Sequence, residues 1–141
     1  MTELLANHVA GRWQTGTGPG HRLLDPVLGT ELVRVDASGL DLHAAFAFAR
    51  DTGGKALRAM SYAQRAQLLA DIAAVLQTHR DGYYEISTAN SGTVKNDTAV
   101  DVDGGIYTLG QYAKWGAALG NAKHLSDGAA VALAKEGAFQ S

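Results

Sequence analysis

The chain has 141 residues, 12 Lys and Arg against 14 Asp and Glu, and a formal net charge of -2. That length suits about one domain with a buried core, and the balanced charge gives no electrostatic footprint for nucleic acid or an anionic membrane. With Cys 0 there is no disulfide, no thiolate metal site and no cysteine nucleophile. The apolar runs are too short to span a bilayer, and the opening residues carry an early acid and no apolar signal core. A cytoplasmic chain without membrane or nucleic-acid partners is expected.

The first third reads as strand and turn. His8–Trp13 has the mixed character of an edge strand, and Thr15–Gly20 is a turn by composition. His21–Leu24 can pair back across the turn at Asp25–Thr30, and Glu31–Val35 alternates as a half-buried strand does. An antiparallel meander is expected. Helices follow. Asp41 is a credible N-cap before the face Leu42, Ala45, Phe46 and Ala49, with Gly53–Gly54 as its end and a short helical turn at 55–60. Ser61 and Gln64 form a capping box. The helix it opens carries a stripe of Leu68, Leu69, Ile72, Val75, Leu76 and His79. A break near Asp81–Gly82 and a stop at Asn90–Gly92 bound the next helix. A long helix over 97–119 carries Ala99, Val102, Ile106, Leu109 and Ala113 on one face, although Gly104, Gly105, Gly110 and Gly116 interrupt it. Asp127–Gly128 signals a hairpin, so the tail is expected to form two short strands.

Self-contained chemistry is scarce. Thr15–Gly20 lacks both phosphate-loop spacings and precedes a strand, so it reads as a turn. Asp101–Gly104 fails the calcium-loop pattern, because its first and twelfth positions would be Ala99 and Gly110. The histidines (His8, His21, His43, His79, His124) show no metal-binding spacing, so no metal site is expected. No serine sits in a nucleophile elbow, and Asp101 and Asp103 do not share a helix face. Neither catalytic nor cofactor-binding residues are assigned.

Several motifs in order do carry a resemblance. Gln111–Gly116 resembles the Tyr-Tyr-Ala-Gly-Trp-Ala run that closes a helix in aldehyde dehydrogenases. Ile86–Thr93 resembles the family's Gly-Lys-Pro turn, Asn7–Gly18 its opening strand and glycine turn, and Asp25–Val35 its next strand pair. Ser38–Arg50, Ala56–Ile72 and Ala89–Gly110 are similar to the branch acting on coenzyme A-linked semialdehydes in aromatic catabolism. The ring-opening dehydrogenases of phenylacetyl-CoA breakdown are the next resemblance.

The resemblance implies an α/β fold of which this chain is the N-terminal piece: antiparallel strands, three or four helices, then a short strand hairpin. Residues 1–120 would belong to the cofactor-binding domain and 121–141 would begin the oligomerisation hairpin. The catalytic domain, with its cysteine, glutamate and asparagine, would lie beyond Ser141. The parent would be a homo-oligomer, a homodimer or larger, oxidising a CoA-linked aldehyde to the acid with NADP, or NAD. Its thiolate would add to the aldehyde, hydride would leave for the nicotinamide, and water would hydrolyse the thioester. The chain alone, binding no cofactor, would be inactive. Val100, Gly104 and Thr108, spaced four apart, would line the substrate tunnel. The competing reading is a free-standing helical interaction or oligomerisation module without chemistry. A contiguous exposed apolar surface would favour the fragment.

Overall fold

In the computed structural model, residues 2–125 are described, together with the backbone of 131–134 and 137–139. Strands β1 (Asn7–Val9) and β2 (Arg12–Gln14) pair antiparallel, as do β3 (His21–Leu24) and β4 (Glu31–Val35). The single strand expected over His8–Trp13 is thus two. Ala10 and Gly11 turn the chain with φ of 50° and 79°, and the positive φ at Ala10 left no glycine signal at that position. Nor is there a continuous meander. β1–β2 and β3–β4 are separate pairs, and β4 instead takes Leu4 beside Arg34 as a parallel bridge.

Two acidic side chains knit this region. Arg22 and Arg34 face each other across β3–β4, a like-charge pair that is unfavourable by itself. Glu31 lies between them, 2.5 Å from Arg22 Nε and 2.7 Å from Arg34 Nε. Hydrogen bonding from Arg34, then from Thr2 and Arg22, lowers the Glu31 pKa from 4.5 to about 2. Asp36 is buried and accepts from Gly18 N–H at 2.5 Å and from the Ser38 hydroxyl at 2.8 Å. Its pKa is lowered, chiefly by the Ser38 hydroxyl. The Gly-rich segment 15–20 is therefore a turn whose Gly18 N–H is already taken by a carboxylate. A Cβ at Gly16 would collide with that same carboxylate.

Four helical rods follow. Helix α1 (Leu42–Phe48) begins at Asp41, whose side chain accepts from Ala44 N–H. It does not end at Gly53–Gly54. A π-helical segment (Ala49–Gly54) carries it into α2 (Lys55–Ala59), because Gly54 keeps right-handed helical angles. Helix α3 (Tyr62–Thr78) opens on the complete Ser61–Gln64 capping box. The next break falls at His79, not at Asp81–Gly82, so Gly82 lies inside α4 (Arg80–Ser91). Gly92 then ends α4 in the left-handed conformation, with φ 70°. Its place against Pro26 and Val27 brings the β3–β4 turn onto the α4 terminus.

Helix α5 (Lys95–Ala118) crosses α3 and α4. Its expected inner face holds: Ala113 is buried and Ala99, Val102, Ile106 and Leu109 are half-buried. The α3 stripe splits. Leu69 and Leu76 are half-buried, whereas Leu68, Ile72, Val75 and His79 are exposed. Small residues face α5 instead: Ala66 is 3% exposed, and a Cβ at Gly116 would stand 3.0 Å from its Cβ. Close helix approach selects alanine and glycine at the crossing and turns the larger side chains outward. Strands β5 (Val131–Ala134) and β6 (Gly137–Phe139) pair antiparallel, but both follow Asp127–Gly128, so they are not the two strands expected on either side of that turn. The pair runs beyond Asp127–Gly128, which lies outside the described residues.

Candidate functional site

The three residues assigned to a tunnel share the outer face of α5. Val100, Gly104 and Thr108 rise along it over about 12 Å, opposite the face that meets α3 and α4. Val100 is 72% exposed, and a Cβ at Gly104 or Gly105 would have nothing within 4 Å. Close helix packing therefore accounts for Gly116 but not, among the described residues, for Gly104 or Gly105. Thr108 donates its hydroxyl to the Gly104 carbonyl at 2.8 Å, so that hydroxyl is engaged within the helix.

Behind this row, polar contacts that sequence pattern did not reveal fix α5 to α4. Tyr84 donates to Asp103 Oδ1 at 2.7 Å, and Arg80 Nη1 stands 3.8 Å from the same oxygen. The Asp103 bond, then burial, raises the Tyr84 pKa. Thr98 is 0% exposed and shares hydrogen bonds with Thr88 at 3.0 Å and Thr93 at 2.7 Å. Thr93 in turn meets Ser91 at 2.7 Å. This hydroxyl chain sets the angle between the end of α4 and the start of α5. Asp101, two residues from Asp103, is exposed, so these carboxylates form no acid–base pair.

An open groove of about 740 Å³ lies between the β3–β4 turn and α4, with Val27, Leu28, Tyr84, Thr88 and Lys95 among its lining. It does not include the α5 outer row. Among the described residues, no cluster of His, Cys, Asp or Glu could hold a metal ion. No helix there is long and apolar enough to cross a membrane.

The order of elements, two strand pairs and then helical rods ending in a long helix and a strand pair, agrees with the motif order. The sequence matches the aldehyde dehydrogenase family over residues 13–136.

The chain belongs to the aldehyde dehydrogenase family.

The chain is also 50% identical, over 136 residues, to the 3,4-dehydroadipyl-CoA semialdehyde dehydrogenase of Aromatoleum evansii. The alignment covers 96% of this chain and 26% of that relative, so the chain spans about a quarter of the relative's length. The aligned quarter includes the whole of α3, α4 and α5. The α5 outer row thus belongs to a family member with a relative whose name specifies a CoA-linked aldehyde.

Among the described residues the chain leaves much apolar surface open. Ala66 and Ala113 are the buried hydrophobic residues among those described, whereas Phe46, Ile72, Tyr107 and Trp115 are exposed.

Proposed function

We propose that this chain is the N-terminal part of an NADP-dependent dehydrogenase that oxidises a CoA-linked semialdehyde to the acid. The observation that carries this reading is the 50% identity, across nearly the whole chain, to a relative of that name. NADP, or alternatively NAD, would supply a hydride acceptor when bound. The glycine-rich turn spends its Gly18 N–H on Asp36. With no cysteine in its sequence, the chain lacks the family's nucleophile and is non-catalytic by itself.

Residues 1–120 are assigned to the cofactor-binding domain and 121–141 to the start of a strand pair used in homo-oligomerisation. The complete enzyme is assigned to the cytoplasm and to aromatic catabolism of the benzoate type. The open apolar surface supports a segment that packs on further polypeptide over a free-standing module, which would cover its own core.

Val100, Gly104 and Thr108 form one wall of the substrate passage in this reading. Their position opposite the packed face of α5 supports it, as does the open space beside Gly104. A wall without a side chain leaves room for a pantetheine arm. Gly104→Leu in the complete polypeptide tests this. kcat/KM for the CoA-linked semialdehyde should fall far more than kcat/KM for a small free aldehyde. An equal fall for both, with lost thermal stability, would assign Gly104 to packing instead.

A further inference from the structure

The start of α3 and the chain leaving α5 are bonded to each other. Tyr62 N–H donates to the Ala122 carbonyl at 2.8 Å, and Ala63 N–H donates to the Gly120 carbonyl at 2.9 Å. These are N–H groups that the first turn of a helix cannot satisfy internally. Arg65 extends the contact by one residue, its Nη2 donating to the Lys123 carbonyl at 2.9 Å. Its guanidinium carbon lies 4.4 Å from the centre of the Tyr62 ring, and its Nε is buried without a hydrogen-bond partner among the described residues. Gly116 against Ala66 brings the two helices close enough for this contact.

We propose that Arg65 is a positioning residue for self-association. By holding the Lys123 carbonyl it fixes the direction in which the chain leaves α5, and so presents β5–β6 to a second copy of this chain. The inference rests on the reading above that residues 121–141 begin an oligomerisation strand pair. The backbone donors of Tyr62 and Ala63 can come from any residue type but proline. Among the described residues, the Arg65 side chain is the one that bonds past Ala122, and stacking on Tyr62 restricts its swing. Residues 124–130 alone separate this anchor from β5. A pair of short strands is marginal in isolation and has unpaired edges, so its partner must meet it already oriented. Loosening the anchor moves the ordering cost onto association.

The experiment is sedimentation velocity over a concentration series on the complete polypeptide, with amide exchange read at residues 122–125. Arg65→Ala should raise the oligomer dissociation constant about 10- to 100-fold and speed exchange at 122–125, while exchange in α4 is unchanged. Arg65→Lys, which keeps a donor but not the planar stack, should fall between wild type and Arg65→Ala. Deletion of residues 131–139 should give a monomer. If the deletion gives a monomer but Arg65→Ala associates like wild type, the anchor is refuted and the oligomerisation reading stands. If the deletion variant still assembles, that reading fails and takes the anchor with it. Should Arg65→Ala not fold, Arg65→Lys decides, and wild-type association with faster exchange at 122–125 would overturn the proposal.

Discussion

An added methyl group on α5 should have opposite effects at two of its glycines. At Gly116 a Cβ would stand 3.0 Å from the Ala66 Cβ and 3.5 Å from the Tyr62 carbonyl oxygen. Carbon atoms prefer about 3.5–4.0 Å, so the helices must separate by roughly half an ångström or more. Ala66 is backbone-borne and cannot rotate away. Overpacking of this kind costs about 1–3 kcal/mol, and the gain in helix propensity returns about 1 kcal/mol. Gly116→Ala should therefore be neutral to destabilising by about 2 kcal/mol. Gly104→Ala meets nothing within 4 Å and keeps only the propensity gain, so it should stabilise by about 1 kcal/mol. The two sites are about 18 Å apart along α5, far enough for their effects to be independent. Urea unfolding of the 141-residue chain, followed by far-UV circular dichroism, measures both. The unfolding constants of the two variants should differ by roughly 5- to 150-fold. Equal stabilisation by both substitutions would mean that α3 and α5 do not approach closely at Gly116. Destabilisation by Gly104→Ala would mean that its surroundings are already filled.

Three further outcomes are expected. Thr98→Val keeps the shape but removes the hydroxyl shared with Thr88 and Thr93, of which Thr93 keeps its Ser91 partner, and should cost about 0.5–1.5 kcal/mol in the same assay; an unchanged midpoint would remove the hydroxyl chain from the account. Because the Glu31 pKa is lowered in the folded state, its contribution to the β3–β4 pair is complete above pH 4.5 and is lost as pH falls towards about 2. Amide protection in β3–β4 should follow that window and lose this pH dependence in Glu31→Gln, whereas a carboxyl titration midpoint at the ordinary value would contradict the bridge to Arg34. The purified 141-residue chain should reduce no NADP with any aldehyde; measurable turnover by a mass-verified sample would refute its non-catalytic assignment.

Local signals were legible and long-range ones were not. The Asp41 cap and the Ser61–Gln64 box need only neighbours along the chain, and both form as read. The inner face of α5 follows from its spacing alone. Periodicity failed on α3 because that helix carries two apolar stripes, one of alanines and one of larger residues. Which stripe faces α5 depends on Gly116, fifty residues beyond Ala66. Glycine was misread in both directions: Gly54 and Gly82 sit inside helical segments, while Ala10 takes the positive φ of a turn. Arg65 gave no sequence signal, because its partner Lys123 lies 58 residues away; Asp36 reaches back 18 residues to Gly18, and Thr98 meets Thr88 and Thr93 across the break between two helices. For the site, spacing placed Val100, Gly104 and Thr108 on one exposed face, but it could not distinguish Gly104, with open space, from Gly116, at a crossing.

The most direct test of the central claim is a substrate comparison with the complete polypeptide and NADP. kcat/KM is measured for a CoA-linked semialdehyde and for the corresponding free semialdehyde acid. The account predicts a preference for the CoA-linked form of about 100-fold or more, since contacts along the pantetheine arm would contribute to transition-state binding. Equal values, or a preference for the free aldehyde, would contradict the assignment of this chain to a CoA-semialdehyde dehydrogenase.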